Sequence, residues 1–188
     1  KNTKNISVQV ASKQLNSKLL DDGQVETIIG VPKTNWNEIP LSKKLDTKNL
    51  GIIIEDNNNQ AVSGGIAINV GNPHAIFFVN DVENFNLEKI GPDIENHEFF
   101  PEKCNFTLAQ KLNKNHYKIK VWERGAGLTK ACGTAACATA VAANLEKLEN
   151  SRTEIEFSLG KLIISIDESQ QIHMKGPVSS IREIDINI

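Results

Sequence analysis

Aromatic residues are scarce here: one Tyr, two Trp and seven Phe make up 5% of 188 residues. With hydrophobic content at 39%, small and β-branched side chains must fill most of any core. Cysteine is also sparse. Cys104, Cys132 and Cys137 are odd in number and form no CxxC pair, which excludes a disulfide framework and a zinc ribbon. The four histidines, His74, His97, His116 and His173, stand singly without ligand spacing, so no metal site is expected. No apolar run approaches the ~20 residues of a membrane-spanning helix, and no signal-peptide pattern opens the chain. An excess of one charge is missing too. Lys and Arg number 21 against 23 Asp and Glu, in mixed runs, which argues against a nucleic-acid stripe or a polybasic membrane patch. These absences together lead to the expectation of a soluble, cytoplasmic protein with neither nucleic acid nor membrane as partner.

What is present is mostly strand signal. "ISVQVA" (6–11) alternates, and 16–31 reads as a hairpin turning at Asp22-Gly23. Strands are expected in 49–56 and in 63–81, the latter broken at a Gly-Asn-Pro turn. "NFTLAQKL" and "YKIKVWERG" pair across Asn113-Lys114-Asn115, and two further strand-rich stretches close the chain. Helix signals are few: a short helix or two in 82–97, interrupted at Gly91-Pro92, and one helix from Cys132 to about Leu148. From Thr134 to Ala143 the second carries no charge and is Ala-rich on every face, the pattern of a buried helix. The expected fold class is α+β, a curled, mostly antiparallel sheet around a central buried helix. The loop 31–49, with two prolines, is the candidate linker between domains.

The chemistry concentrates in "ERGAGLTKACGTAACATAVAAN" (123–144). A cysteine at a helix start faces unpaired N–H groups and the positive end of the helix dipole. That setting is expected to lower its pKa from about 8.5 towards neutrality. Gly133 and Thr134 offer backbone N–H groups at the same terminus, an anion seat, and Gly133 would let a ligand approach closely. Arg124 could grip a carboxylate with two prongs and Glu123 could accept from an ammonium. An α-amino acid would thus be held by its charged ends with a thiolate near its α-carbon. Cys137 lies five residues on, about 140° round the helix, and reads as core packing.

"WERGAGLTKACGTAACATAVAA", together with "GNPHAIFFV" and "GPDIENHEFFPEKCNF", resembles the diaminopimelate epimerase family, in the family's order and over essentially the whole chain. The resemblance implies cofactor-independent epimerisation of LL-diaminopimelate to the meso form, with no pyridoxal phosphate and no metal. It implies two similar domains with substrate in the cleft, and two cysteines working from opposite faces of the α-carbon. By position, Cys132, His74 and Glu123 take the catalytic roles. Asn72, Asn105, Glu123, Arg124, Gly133 and Thr134 take the substrate-binding roles. For full-length members a homodimer is implied.

Three residues depart from the family pattern: Leu128 stands where Glu is common, Ala135 where Gly is common, and Cys104 at a position usually apolar, where a buried thiol fits. The "CGN" motif of the family's other catalytic cysteine is absent from this sequence. Residues 1–31 therefore read as last strands of an N-terminal domain, 32–176 as the C-terminal epimerase domain, and 177–188 as a tail returning to the first. On that division strands 6–11, 16–20 and 181–187 would lack their sheet and expose unpaired edges. Other readings of the same residues are a racemase or isomerase of this fold with another amino-acid substrate, and a non-catalytic fragment that binds carboxylates.

Overall fold

A computed structural model describes residues 4–10, 13–146 and 152–179. In chain order the strands are β1 (Asn5–Val10), β2 (Lys13–Leu19), β3 (Val25–Gly30), β4 (Ile52–Glu55), β5 (Ala61–Gly64), β6 (Ile66–Asn69) and β7 (Pro73–Val79). After a 3-10 turn at Val82–Asn84 come helix α1 (Leu87–Glu95), β8 (Asn105–Asn113), β9 (His116–Glu123) and β10 (Gly127–Thr129). Helix α2 (Gly133–Leu145) and strands β11 (Arg152–Phe157), β12 (Gly160–Ile166) and β13 (Ile172–Gly176) follow.

Eleven strands form one sheet, in the order β1-β2-β3-β13-β12-β11-β9-β8-β7-β6 with β10 on the flank of β9. Pairing is antiparallel except at β7/β8 and β9/β11. Strands β4 and β5 make a separate hairpin. The sheet curls round α2 without closing, so that α2 touches β6 and β7 near one end and β12 and β13 towards the other. The expected α+β architecture with a central buried helix is what forms.

Alternation along β6, β7 and β8 splits the interior in two. Ile66, Ile68, Ile76 and Ala109 join the core around α2. Ala67, Ala75, Phe77, Phe106 and Leu108 join a second core on the opposite face. With both faces covered, these strands read as near-continuous apolar runs. The second core is covered by α1, the β4/β5 hairpin and the loop 31–49, whose Ile39 and Leu41 are buried. That loop is seated on the body through those two side chains.

Helix α2 forms because alanine has the strongest helix propensity, and every residue from Ala135 to Ala143 is buried. It ends at Leu145 with Glu146 as its C-cap, three residues short of the expected end; 147–151 lie outside the described residues. Helix α1 corrects the sequence reading more substantially, because it runs unbroken through Gly91-Pro92. Pro92 removes one helical N–H, and Gly91 has no Cβ to clash with the proline ring. Gly91 has a second use. A Cβ there would lie 2.4 Å from Cδ2 of Trp122, so only glycine lets the indole lie against α1.

Strands β1 to β3 do not lack a sheet. The β2/β3 hairpin turns at Asp22-Gly23 as expected, and β3 continues the main sheet by pairing with β13. Only β1 stands at that edge, with every residue exposed. The predicted strand at 181–187 lies outside the described residues.

Candidate active site

Strand register gathers the candidate residues at one end of the sheet. His74 pairs with Ile68 and Asn105, on the α2 face with Ile68 and Ile76. In β8 and β9, Thr107 pairs with Val121 on the α2 face, and Phe106 with Trp122 on the other. Glu123 is next in the alternation, so it faces α2, whose N-terminus carries Cys132.

Cys132 is the N-cap of α2, with extended backbone (φ −147, ψ 111), and it is 7% exposed. Its Sγ lies 3.4 Å from Thr134 Oγ1, and the Ala135 amide also points at it. Burial pushes the thiol pKa up. The Thr134 hydroxyl and the Ala135 N–H pull it down, and the Glu123 carboxylate beside it pushes it up again. The net direction is upward, which corrects the expectation of a lowered pKa. Desolvation of the thiolate and a neighbouring negative charge outweigh the helix terminus. Glu123 is held in turn by Thr129, whose hydroxyl donates to Oε1 at 2.6 Å.

Gly133 also meets a packing demand that its place in the sequence does not show. A Cβ at that position would lie 2.9 Å from Met174 Sδ, so the glycine makes room for that side chain. Helix geometry leaves the amides of Gly133 and Thr134 without intrahelical acceptors.

His74 is fully buried, with Nε2 3.0 Å from Asn72 Oδ1. Asn72 accepts, so the ring proton sits on Nε2. Among the described residues Nδ1 has no hydrogen-bond partner. Burial, and then the nearby Arg124 charge, depress the imidazole pKa to about 3, and the ring is neutral near pH 7. Asn105 is buried and largely committed: Nδ2 donates to the Pro73 carbonyl at 3.0 Å and Oδ1 accepts from the Arg124 amide at 3.0 Å. The Arg124 guanidinium donates through Nη1 to the Glu102 carbonyl at 2.7 Å. Cys137 is buried in the α2 core and Cys104 in the other. Burial pushes both thiols up, Cys137 to about 12, so both stay protonated.

Sequence reasoning assigned no role to Glu95, Trp122, Thr129 or Met174. The stretch "GPDIENHEFF" carries part of the family resemblance, but nothing in its spacing shows that the Glu95 carboxylate meets Trp122 and Gly125. It also missed that His116, Glu154 and Glu156 come together with ligand atoms within 4.8 Å. Lys161 already bridges those two carboxylates, at 2.8 and 3.2 Å, and no metal is assigned there.

The family model described as diaminopimelate epimerase matches residues 66–181. A diaminopimelate epimerase of Pelagibacter ubique is 64% identical over 185 residues, 98% of this chain and 68% of that protein. One from Zymomonas mobilis is 36% identical over 178 residues, covering 95% of this chain and 64% of its own length. The chain thus spans about two thirds of these relatives. Among solved structures, a Bacillus anthracis phenazine biosynthesis protein of the PhzF family superposes with a TM-score of 0.63 at 12% identity, over 100% of this chain and 70% of that one. A hydroxyproline epimerase from Agrobacterium vitis gives 0.62 at 10% identity, over 94% and 58%. These distant likenesses establish the shared fold.

Proposed function

This chain belongs to the diaminopimelate epimerase family, and on that premise we propose that it serves the epimerisation of LL-diaminopimelate to the meso form. Cys132 is the acid/base on one face of the α-carbon. The observation that carries this reading is a single arrangement: the Cys132 thiol lies between the Glu123 carboxylate and the N-terminus of α2.

An α-hydrogen is very weakly acidic, so the substrate carboxylate must take up the charge that develops when it leaves. The Gly133 and Thr134 amides are placed to receive that carboxylate, and one such preorganised donor is worth about 3 kcal/mol in other enzymes. Arg124 meets a carboxylate, and Asn72 and Asn105 complete the polar wall beside it. Inversion needs a second group on the opposite face. That group removes the α-proton, and the Cys132 S–H bond then breaks to form the new C–H bond, leaving a thiolate. The Thr134 hydroxyl and Ala135 amide stabilise that thiolate, and in the reverse direction it is the base. Its raised pKa makes the thiol the resting form, and the Glu123 carboxylate, which accepts from the S–H, holds that proton in position for delivery. Neutral His74 lends polarity without charge. The second acid/base is expected outside the described residues, since Cys104 and Cys137 are enclosed in apolar cores.

The test is proton NMR of LL- and meso-diaminopimelate in heavy water, with the wild-type chain and with Cys132→Ala. Loss of the α-proton signal should slow by a factor of about 10² to 10⁴ in the variant. Exchange that survives the substitution unchanged would remove Cys132 from the chemistry. A chain that binds diaminopimelate but exchanges nothing would favour the carboxylate-binding reading for these residues alone.

A further inference from the structure

Glu95 is the last residue of α1 and only 6% exposed. A buried carboxylate survives only when its lone pairs are taken, and here they are. Oε2 accepts from Trp122 Nε1–H at 2.7 Å, Oε1 accepts from the Gly125 amide at 3.0 Å, and Lys103 Nζ lies 3.7 Å away. The Glu95 backbone carbonyl accepts from the Cys104 amide at 3.2 Å, which closes the loop between them. That loop supplies the Glu102 carbonyl that holds the Arg124 guanidinium, and Asn105 just beyond it holds the Arg124 amide. Two consecutive amides at the end of β9, Arg124 and Gly125, therefore end on side-chain oxygens from the α1–β8 segment. Gly125 needs such a partner, since its φ of +76 takes it out of the strand.

We propose that Glu95 is a positioning residue for Arg124: by bridging Trp122 and Gly125 it fixes the turn from which the guanidinium is presented. Packing alone does not ask for a carboxylate here, because an apolar side chain of similar volume commonly serves a buried site as well or better. An ionised group accepting from two elements at once sets a backbone position that an apolar contact would leave loose. The inference rests on the proposed function in one respect, that Arg124 meets the substrate carboxylate.

The test is a double-substitution cycle on the full chain, read by calorimetric titration with diaminopimelate. Glu95→Gln keeps the shape but turns an amide N–H₂ towards one of the two donors. It should weaken binding about tenfold, the effect of one unpaired buried donor. Arg124→Gln should weaken it at least as much, and the double variant should bind no worse than Arg124→Gln alone. Glu95→Asp should restore part of the loss. Additive losses, or wild-type affinity in Glu95→Gln, overturn the proposal. A second readout needs no ligand: phenylglyoxal modification of Arg124, followed by peptide mass spectrometry, should run about tenfold faster in Glu95→Gln. Equal rates overturn the proposal. If the wild-type chain binds no diaminopimelate, the proposed function has failed, while the phenylglyoxal rates still decide the role of Glu95. If Glu95→Gln does not fold, Trp122→Phe removes one donor and keeps the carboxylate. It should give a smaller acceleration, and an unchanged rate overturns the proposal.

Discussion

The two faces of the sheet solve the same problem in opposite ways. On one, alanine fills nearly every contact position of α2, and the Cys132 thiol is presented by the start of the helix backbone. On the other, α1 packs among rings, among them Phe77, Phe85, Phe106 and Trp122, and a long carboxylate reaches from its end to the strand end. Strand alternation divides the labour: Glu123 turns towards Cys132 and Trp122 towards Glu95. The contrast teaches that a small-residue interface places a backbone terminus, whereas a ring-rich interface leaves room for side chains to place one another.

The contrast can be broken by substitution. Phe106 is fully buried, with its ring 5.6 Å from that of Phe77 in an edge-on arrangement. Phe106→Ala should cost about 3–5 kcal/mol in denaturant unfolding, since the cavity cannot collapse between a sheet and a helix. On the other face the damage should come from adding volume. Ala138 is wholly buried in α2, and Ala138→Leu should cost about 3 kcal/mol. If Ala138→Leu left the unfolding midpoint unchanged, close approach would not be what the alanines are for.

A smaller effect separates the faces by pH. His74 lies on the α2 face with its pKa held at about 3, against about 6.5 in an unfolded chain. Below that unfolded value the unfolded chain gains a proton that the folded one refuses, so stability falls as pH falls towards 3. Between pH 7 and pH 5, above the carboxylate range, the loss should be about 2 kcal/mol. His97, in the loop after α1 and also lowered by burial, contributes in the same direction. Replacing His74 with Gln should flatten most of the slope. An unchanged slope would mean that His74 takes up a proton in the folded protein.

Part of this was legible because local chemistry governed it. The Asp22-Gly23 turn, the Gly-Asn-Pro break and the hairpin at 113–115 follow from residues whose backbone preferences decide the outcome on the spot. A charge-free alanine run can only be a buried helix, and it is one. The interruption expected at Gly91-Pro92 failed because the value of a continuous α1 lies in Trp122, thirty-one residues away, seated on Gly91. The expected acidity of Cys132 failed for a similar reason. A helix start is visible in sequence, but the burial and the Glu123 charge that outweigh it are not.

By itself, then, the sequence determined the element types, the apolar helix and the glycine-cysteine pattern at its start, because each depends on neighbours within a turn or two. Only the tertiary structure decided which way Cys132 titrates, that Asn105 is spent on Pro73 and Arg124, and that Glu95 holds the turn beside them. Those outcomes depend on desolvation and on partners brought from distant strands. Such quantities exist only once the sheet has curled and both of its faces are filled.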